Sequence, residues 1–219
     1  MALFATLSDL KDAIRDECER RNHARFDAAL PRFVAGAEQR MWHGSWPPLA
    51  SERLRLREME AEAVIVVTDG EGQLPEDYLE GRRLIWTAGE PRTAPKYEAP
   101  DVFYEHRYAL TTGYPVRYTI EGGKILFSPQ ITGELKLLYY AEPAPLVEET
   151  DTNAVLEKHP MLYFHAALIE AYRWLRNNDK MQEHFGNYTA LASGLLHSDR
   201  RARQGANQLA MRIPNWRAR

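Results

Sequence analysis

Histidine is the residue type in this chain that could most directly bind a metal ion or transfer a proton. The seven histidines are His23, His43, His106, His159, His165, His184 and His197. His159 and His165 are six residues apart, which puts them on different faces of a helix. The zinc-binding patterns HExxH and CxxC do not occur. The histidines are therefore interpreted as surface or capping residues, and no metal site or cofactor is predicted.

Nucleophilic catalysis would need a serine or cysteine held beside a histidine and an acid. No GxSxG motif occurs, and the single cysteine, Cys18, falls on the apolar face of a predicted helix, which favours a core residue. Gly122-Gly123 lies between two strand-like segments and indicates a hairpin turn rather than a phosphate-binding loop. Acidic pairs such as Glu148-Glu149 are interpreted as solvated loop residues. No catalytic residue is predicted, and we expect the protein not to be an enzyme.

Charge is spread unevenly along the 219 residues. Six arginines and one aspartate lie from Ser198 onward, so this C-terminal segment carries +5. Because the total is −3, the 197 residues before it carry −8. An acidic body is poorly suited to binding DNA through counterion release, whereas a basic segment suits docking onto a partner or a weak phosphate contact. The apolar runs are too short to span a membrane, and we expect neither a membrane segment nor a signal peptide.

Helical periodicity is found at both ends of the chain. Apolar residues from Leu7 to Cys18 recur at steps of three or four, which predicts a helix that Ser8 would cap. A second helix is predicted from about Asp27 to His43. Helical spacing returns after Asp151, and Asp179 is predicted to cap the last helix.

Strand periodicity dominates the middle of the chain, where residues 59–67 alternate between two faces. A short helix is predicted at 100–108, and the other strands at 84–87, 116–121, 124–128 and 134–142. The predicted fold class is α+β, with a helical bundle from the N- and C-terminal helices and an inserted antiparallel β-rich region. The predicted domains are a bundle formed by 1–50 and 150–205, a β-rich domain at 55–145, and an extended C-terminal tail at 206–219.

Three groups of residues are candidates for contacts with other chains. Arg53, Arg55 and Arg57 would share one face of an extended segment, as either a solvated surface or a charged seam between subunits. Tryptophans beside prolines or in predicted loops favour contacts that a partner would cover; they are Trp42, Trp46 and Trp216. The basic C-terminal segment contributes Arg200, Arg201, Arg203, Arg212, Arg217 and Arg219.

Three stretches occur together in a characteristic order: Leu74–Leu84 (LPEDYLEGRRL), Tyr114–Glu121 (YPVRYTIE) and the helical run from His159 to Arg176. With further matching segments, they cover most of the chain from about Leu30 to Arg203. Their order and spacing resemble the head-to-tail adaptor (connector) proteins of short-tailed double-stranded DNA phages. Residues 44–51 look like an insertion relative to that family pattern.

The resemblance implies a structural virion protein at the head–tail interface, assembled in the host cytoplasm, with no shared catalytic residues. It implies a ring, usually of twelve copies, that joins the portal to the tail nozzle and extends the channel for DNA packaging and ejection. The expected partners are the portal, the nozzle, other copies of the chain and passing DNA, and no membrane is expected. The bundle would form the ring wall, and the β-rich region would face a neighbour or the nozzle.

The segment from about Ser198 is predicted to dock onto the portal and to become ordered there. Deletion of residues 202–219 should then abolish portal binding and leave the fold intact. Two other functions stay open: a DNA-binding module that acts through the basic tail, and a cell-wall hydrolase carried in the phage tail.

Overall fold

The structure is a computed structural model that describes residues 4–45, 49–86, 95–106 and 113–205. These residues form two compact units. The helical unit lies within Met1–Glu58 and Ala144–Arg219, and the sheet unit lies within Met59–Pro143. Helices and a seven-stranded sheet are both present, which confirms the predicted α+β class.

The helical unit contains six of the helices in the described residues. They are α1 (Leu7–Glu17), α2 (Ala24–Asp27), α3 (Leu30–His43), α5 (Ala154–Lys158), α6 (Pro160–Trp174) and α7 (Asn178–Gly205). Helix α6 contacts α1, α3, α5 and α7. Its residues Ala166–Ile169 are all fully buried, and four consecutive buried residues require neighbours on every face of a helix. Helix α6 is therefore the centre of this unit's core.

The helix starts differ from those predicted. Thr6, not Ser8, caps α1: its side chain accepts from the Asp9 amide, and the Asp9 carboxylate accepts from the Thr6 amide at 3.1 Å. This reciprocal arrangement is a capping box, and it places Ser8 inside the first turn. Likewise, the Asn177 side chain accepts from the Lys180 amide at 3.1 Å, so the predicted cap at Asp179 is also wrong.

A buried polar network joins the returning chain to this core. The Glu38 carboxylate accepts hydrogen bonds from the Leu146 amide at 3.1 Å and the Tyr163 hydroxyl at 3.2 Å. The Asn153 side chain caps α5 and also donates to the Tyr163 hydroxyl at 2.7 Å. Burial, together with the Glu38 charge, raises the pKa of Tyr163 well above its ordinary value, so its hydroxyl stays protonated and can donate.

The sheet unit contains the seven strands and the short helix α4 (Pro100–His106). The strands are β1 (Glu60–Thr68), β2 (Glu71–Gln73), β3 (Tyr78–Trp86), β4 (Lys96–Tyr97), β5 (Arg117–Glu121), β6 (Lys124–Ser128) and β7 (Gly133–Ala141). Their order across the sheet is β3-β7-β1-β2-β6-β5-β4. The predicted sheet was antiparallel throughout, but β4 pairs with β5 in parallel, because the connection through α4 brings the chain back in the same direction.

The sheet packs an apolar cluster on one of its faces. Its buried members are Ile65, Val67, Leu74, Ile125, Phe127, Leu135, Leu137 and Tyr139. The predicted hairpin is confirmed, since β5 and β6 pair on either side of Gly122 and Gly123, which both have positive φ. The alternation predicted for β1 is also confirmed: Ile65 and Val67 are buried, and Val64 and Val66 are exposed.

Substitution of Gly72 tests this packing. A Cβ at this position would lie 2.6 Å from Cγ2 of Ile65 and 3.2 Å from Cγ2 of Val67. We expect Gly72→Ala to lower the free energy of unfolding by about 1–3 kcal/mol, the range found for overpacked cores. Gly194→Ala is the control, because a Cβ there meets nothing within 4 Å and alanine favours a helix by up to about 1 kcal/mol. Urea denaturation that gave the same change for both variants would contradict the packing argument.

Candidate functional site

The arginines at positions 53, 55 and 57 do not lie in a strand. Residues 52–56 are irregular, and a single 3-10 turn covers Arg57–Met59. The segment still alternates, because Leu54 and Leu56 are buried while Arg53 and Arg57 are exposed. Arg53 and Arg57 are therefore available at the surface, as a contact with another chain would require.

Arg55 is held by the backbone of its own unit. Its Nη1 donates to the carbonyl oxygen of Trp42 at 3.0 Å and to that of Leu54 at 2.7 Å. The Trp42 carbonyl belongs to the last turn of α3, where carbonyl groups lack helical partners and a cation is favourable. Arg55 thus fixes the chain that leaves α3.

Arg40 anchors the loop that follows α3. Its Nη1 donates to Ser45 Oγ at 2.8 Å and to the Leu49 carbonyl at 3.1 Å, and its Nη2 donates to Glu170 Oε1 at 2.7 Å. The Arg40 side chain is only 3% exposed. The described part of the loop is therefore tied to α6 through one buried guanidinium. Trp46, a predicted partner contact in this loop, lies outside the described residues.

Trp42 is a core residue, so its predicted contact with another chain is wrong. It is 1% exposed, and its ring packs edge-on against Tyr163, with centroids 6.2 Å apart. The predicted helix, which also ended at about His43, already contained Trp42. The sequence did not show that α6, which carries Tyr163, would pack on this face of α3.

The basic C-terminal segment starts on α7. Arg200 and Arg201 are exposed on this helix, and Arg203 lies within its final turns. Residues 198–205 are helical, and α7 ends at Gly205, where the predicted helical domain also ends. Docking of the segment from Ser198 onto a partner stays a prediction. Arg212, Trp216, Arg217 and Arg219 lie outside the described residues.

Exposed apolar residues are concentrated in the sheet unit. Eleven large apolar side chains are exposed among the described residues, and eight of them belong to this unit: Val64, Val66, Ile85, Tyr97, Val102, Tyr104, Tyr114 and Val116. Val64 and Val66 are each 64% exposed and share one face of β1. Grouped apolar exposure of this kind is typical of surfaces that other proteins cover.

Comparison with known families decides what class of protein this is. A family model described as SU10 adaptor protein matches residues 5–212, which is nearly the whole chain. The chain belongs to the SU10 adaptor protein family. The resemblance to phage head-to-tail adaptors seen in the sequence is thereby confirmed. A comparison with curated proteins found no match.

Membership makes the chain a phage adaptor, and therefore a virion component that contacts other head and tail proteins. The adaptor family is structural and is not known for enzymatic activity. Within the ranges that the structure describes, no helix has the length and apolarity needed to cross a membrane.

The adaptor's cysteine has the environment of a core residue, as predicted. Cys18 is 7% exposed, and burial raises the pKa of its thiol to about 11. A thiol with such a pKa stays protonated at neutral pH, whereas a cysteine nucleophile acts as the thiolate.

One polar contact in the adaptor was missed from the sequence. Nδ1 of His165 on α6 lies 3.0 Å from Nδ1 of His184 on α7. His184 is only 4% exposed, so its interpretation as a surface or capping histidine is wrong. The two residues are separated by 19 positions and a helix connection, and no local spacing rule brings such a pair together. For His23 the interpretation as a capping residue is confirmed, since its Nδ1 accepts from the Phe26 amide and caps α2.

Proposed function

We propose that this adaptor forms a ring, of twelve copies, between the portal and the tail nozzle. The ring would extend the channel through which DNA is packaged and ejected. The observation that carries the proposal is membership of the adaptor family over residues 5–212. An adaptor must fit against proteins on two sides, and a closed ring is the simplest way for one chain to surround a channel.

The charge distribution supports a channel that lets DNA pass. The 197 residues before Ser198 carry −8. Tight binding of duplex DNA depends largely on the neutralisation of phosphates by lysine and arginine. An acidic body therefore offers little affinity that would hold the DNA in transit.

In this proposal the N- and C-terminal helices form a bundle that makes the ring wall. The β-rich region, inserted at about 55–145, faces a neighbouring copy or the nozzle. The exposed apolar residues of the sheet unit support this role, because solvent exposure of Val64 and Val66 is unfavourable unless another protein covers them.

The partner contacts are assigned to two sets of residues. The basic set comprises Arg200, Arg201, Arg203, Arg212, Trp216, Arg217 and Arg219, and it would contact the portal or a neighbouring subunit. The second set, Trp46, Arg53 and Arg57, would lie along the seam between subunits, with Arg55 supporting the backbone beneath it. Guanidinium groups suit such contacts because they bind carboxylates through two parallel hydrogen bonds.

Native mass spectrometry of the adaptor mixed with the portal of the same phage tests the proposal. We expect a complex that contains twelve adaptor chains on one portal ring. A monomeric adaptor in the absence of portal is compatible with this outcome, since the portal can template the ring. A folded adaptor that stays unbound at micromolar concentrations of both proteins would contradict it.

A DNA-binding module is the second candidate, favoured by the +5 charge from Ser198 onward and the exposure of Arg200 and Arg201. That function requires binding to duplex DNA. The logarithm of the binding constant should fall linearly with the logarithm of the salt concentration, with a slope near the number of arginines engaged. The ring proposal expects only weak binding, with a smaller salt slope. Fluorescence anisotropy over a salt series separates the two.

A further inference from the structure

The contact between His165 and His184 joins two neighbouring helices of the core. The two Nδ1 atoms are 3.0 Å apart, which is a hydrogen-bond distance. An imidazole nitrogen can donate only when it carries a proton, and it can accept only when it does not. One proton must therefore lie between the two nitrogens, and the two rings must differ in tautomer.

The side chains around His184 leave its ring few other hydrogen-bond partners. The His184 ring stacks on Tyr172, with centroids 5.2 Å apart and planes within 7°. Its Nε2 is buried without a hydrogen-bond partner, and Oε1 of Glu17 on α1 is 3.8 Å away. His184 is only 4% exposed, while His165 is half-buried. Among the described residues, no three ligating groups meet to hold a metal ion.

The neutral histidine pair can take up two further protons, one after the other. A first added proton occupies an outer Nε2 and leaves the shared proton in place, so the hydrogen bond remains and becomes charge-assisted. A second added proton must go to the accepting Nδ1. Two N–H groups would then point at each other across 3.0 Å, and both rings would be cationic.

We propose that His165 and His184 form a proton-sensitive latch between α6 and α7. The latch is closed while the two Nδ1 atoms share one proton. It opens when acidification protonates both rings, because the repelling imidazolium groups separate α7 from α6.

The charges that face the pair come from α1 and α7. Burial lowers the pKa of His165, and the neighbouring His184 lowers it further, while Glu17 and Glu183 oppose the shift. Burial also lowers the pKa of His184, again against Glu17 and Glu183, and Lys180 adds to the lowering.

Tyr172 stacks on His184, and Cys18 interacts with Tyr172. Both are neutral near pH 6.5, since the pKa of each is raised mainly by burial, that of Cys18 to about 11. Both histidines therefore bind protons less readily in the folded protein than in the unfolded chain. The resulting stability is complete above pH 6.5 and is lost as pH falls below that value.

Opening of the latch would matter for assembly, a consequence that rests on the proposed function. Helix α7 carries the exposed Arg200 and Arg201. Release of its packed first half would free the segment that presents these arginines to a partner. The latch itself is a property of the isolated adaptor and can be tested without any partner.

Hydrogen exchange of the full chain, followed by mass spectrometry, is the first test. We expect amides between Lys180 and Ala192 to lose protection between pH 7.5 and pH 5, after correction for intrinsic exchange rates. His184→Phe, which keeps an aromatic ring against Tyr172 but removes the titrating nitrogen, should retain protection at pH 5. His197→Phe is the matched control, because His197 is exposed on the same helix and should behave as the wild type.

Urea denaturation over the same pH range gives the second readout. A proton taken up only by the unfolded chain changes the folding equilibrium by at most about ten-fold per pH unit. The wild type should therefore lose stability as pH falls below 6.5, by no more than about a hundred-fold per unit for the two histidines. His184→Phe should lose less per unit than the wild type, because one of the two titrating rings is gone. If the variant does not fold, NMR titration of the wild type decides. The proposal is overturned if either histidine titrates at or above pH 6.5, if the variant keeps the wild-type slope, or if α7 protection is insensitive to pH.

Discussion

Replacement of Arg40 by alanine is expected to lower the free energy of unfolding by about 3–5 kcal/mol, the range for removing one partner of a buried ion pair. The Arg40 side chain is 3% exposed, and that of Glu170 is 16% exposed. Without the guanidinium, the Glu170 carboxylate stays largely buried with Arg173 as the partner that the structure shows at 2.9 Å. Ser45 and the Leu49 carbonyl would also lose the donor that ties their loop to the core.

Arg173→Ala is the matched control for this prediction. Arg173 contacts the same carboxylate, but its side chain is 54% exposed, so its removal should cost at most about 1 kcal/mol. Urea denaturation monitored by circular dichroism measures both variants. If they differed from each other by less than about 1 kcal/mol, the buried pair would not have the stabilising role assigned to it.

Truncation of the adaptor after Gly205 is expected to abolish portal binding. The deleted residues 206–219 carry Arg212, Arg217 and Arg219 and contain no acidic residue. They also carry Trp216, a residue type that is enriched where interfaces derive most of their affinity. The described residues all remain in the truncated chain, so thermal unfolding should be unchanged. Co-sedimentation with portal rings measures the binding.

A charge-only variant separates the two contributions of this segment. Replacement of its three arginines with glutamine keeps Trp216 and the chain length. We expect this variant to bind in low salt and to lose binding at physiological ionic strength, because fewer charge pairs remain. Wild-type affinity in the truncated chain would remove residues 206–219 from the partner-contact set.

Local patterns were sufficient to predict the elements whose residues contact each other along the chain. Gly122 and Gly123 supply the positive φ that a tight hairpin needs, and the strands on either side follow directly. Strand β1 was predicted because its residue types alternate with a period of two, and its burial follows the same period. In both cases the residues that determine the structure lie within a few positions of one another, so their spacing in the sequence is sufficient to predict it.

Strand β3 was predicted only in part from local sequence patterns. The prediction covered 84–87, whereas the strand runs Tyr78–Trp86. Register shifts between Tyr78 and Glu80, and between Gly81 and Arg83, interrupt the alternation that marks a strand. Pairing with β7 forms the strand despite its irregular pattern. The paired residues, from Trp86 with Leu135 to Tyr78 with Ala141, are 49 to 63 positions apart, too far for a local sequence pattern to indicate the pairing.

Local sequence patterns indicated the surroundings of some candidate residues but not of others. The exposure of Arg200 and Arg201 follows from a run of basic residues, which the core would exclude. The burial of Trp42 and the approach of His165 to His184 depend on which helices become neighbours. Tertiary packing determines both the burial of Trp42 and the histidine contact, and no short-range sequence pattern indicates it.

Cryo-electron microscopy of the intact virion neck would show directly where this chain lies. We expect a ring of twelve copies of this chain between the portal and the nozzle, with its inner surface lining the DNA channel. A neck in which the portal contacts the nozzle directly, with this chain located elsewhere in the particle, would contradict it.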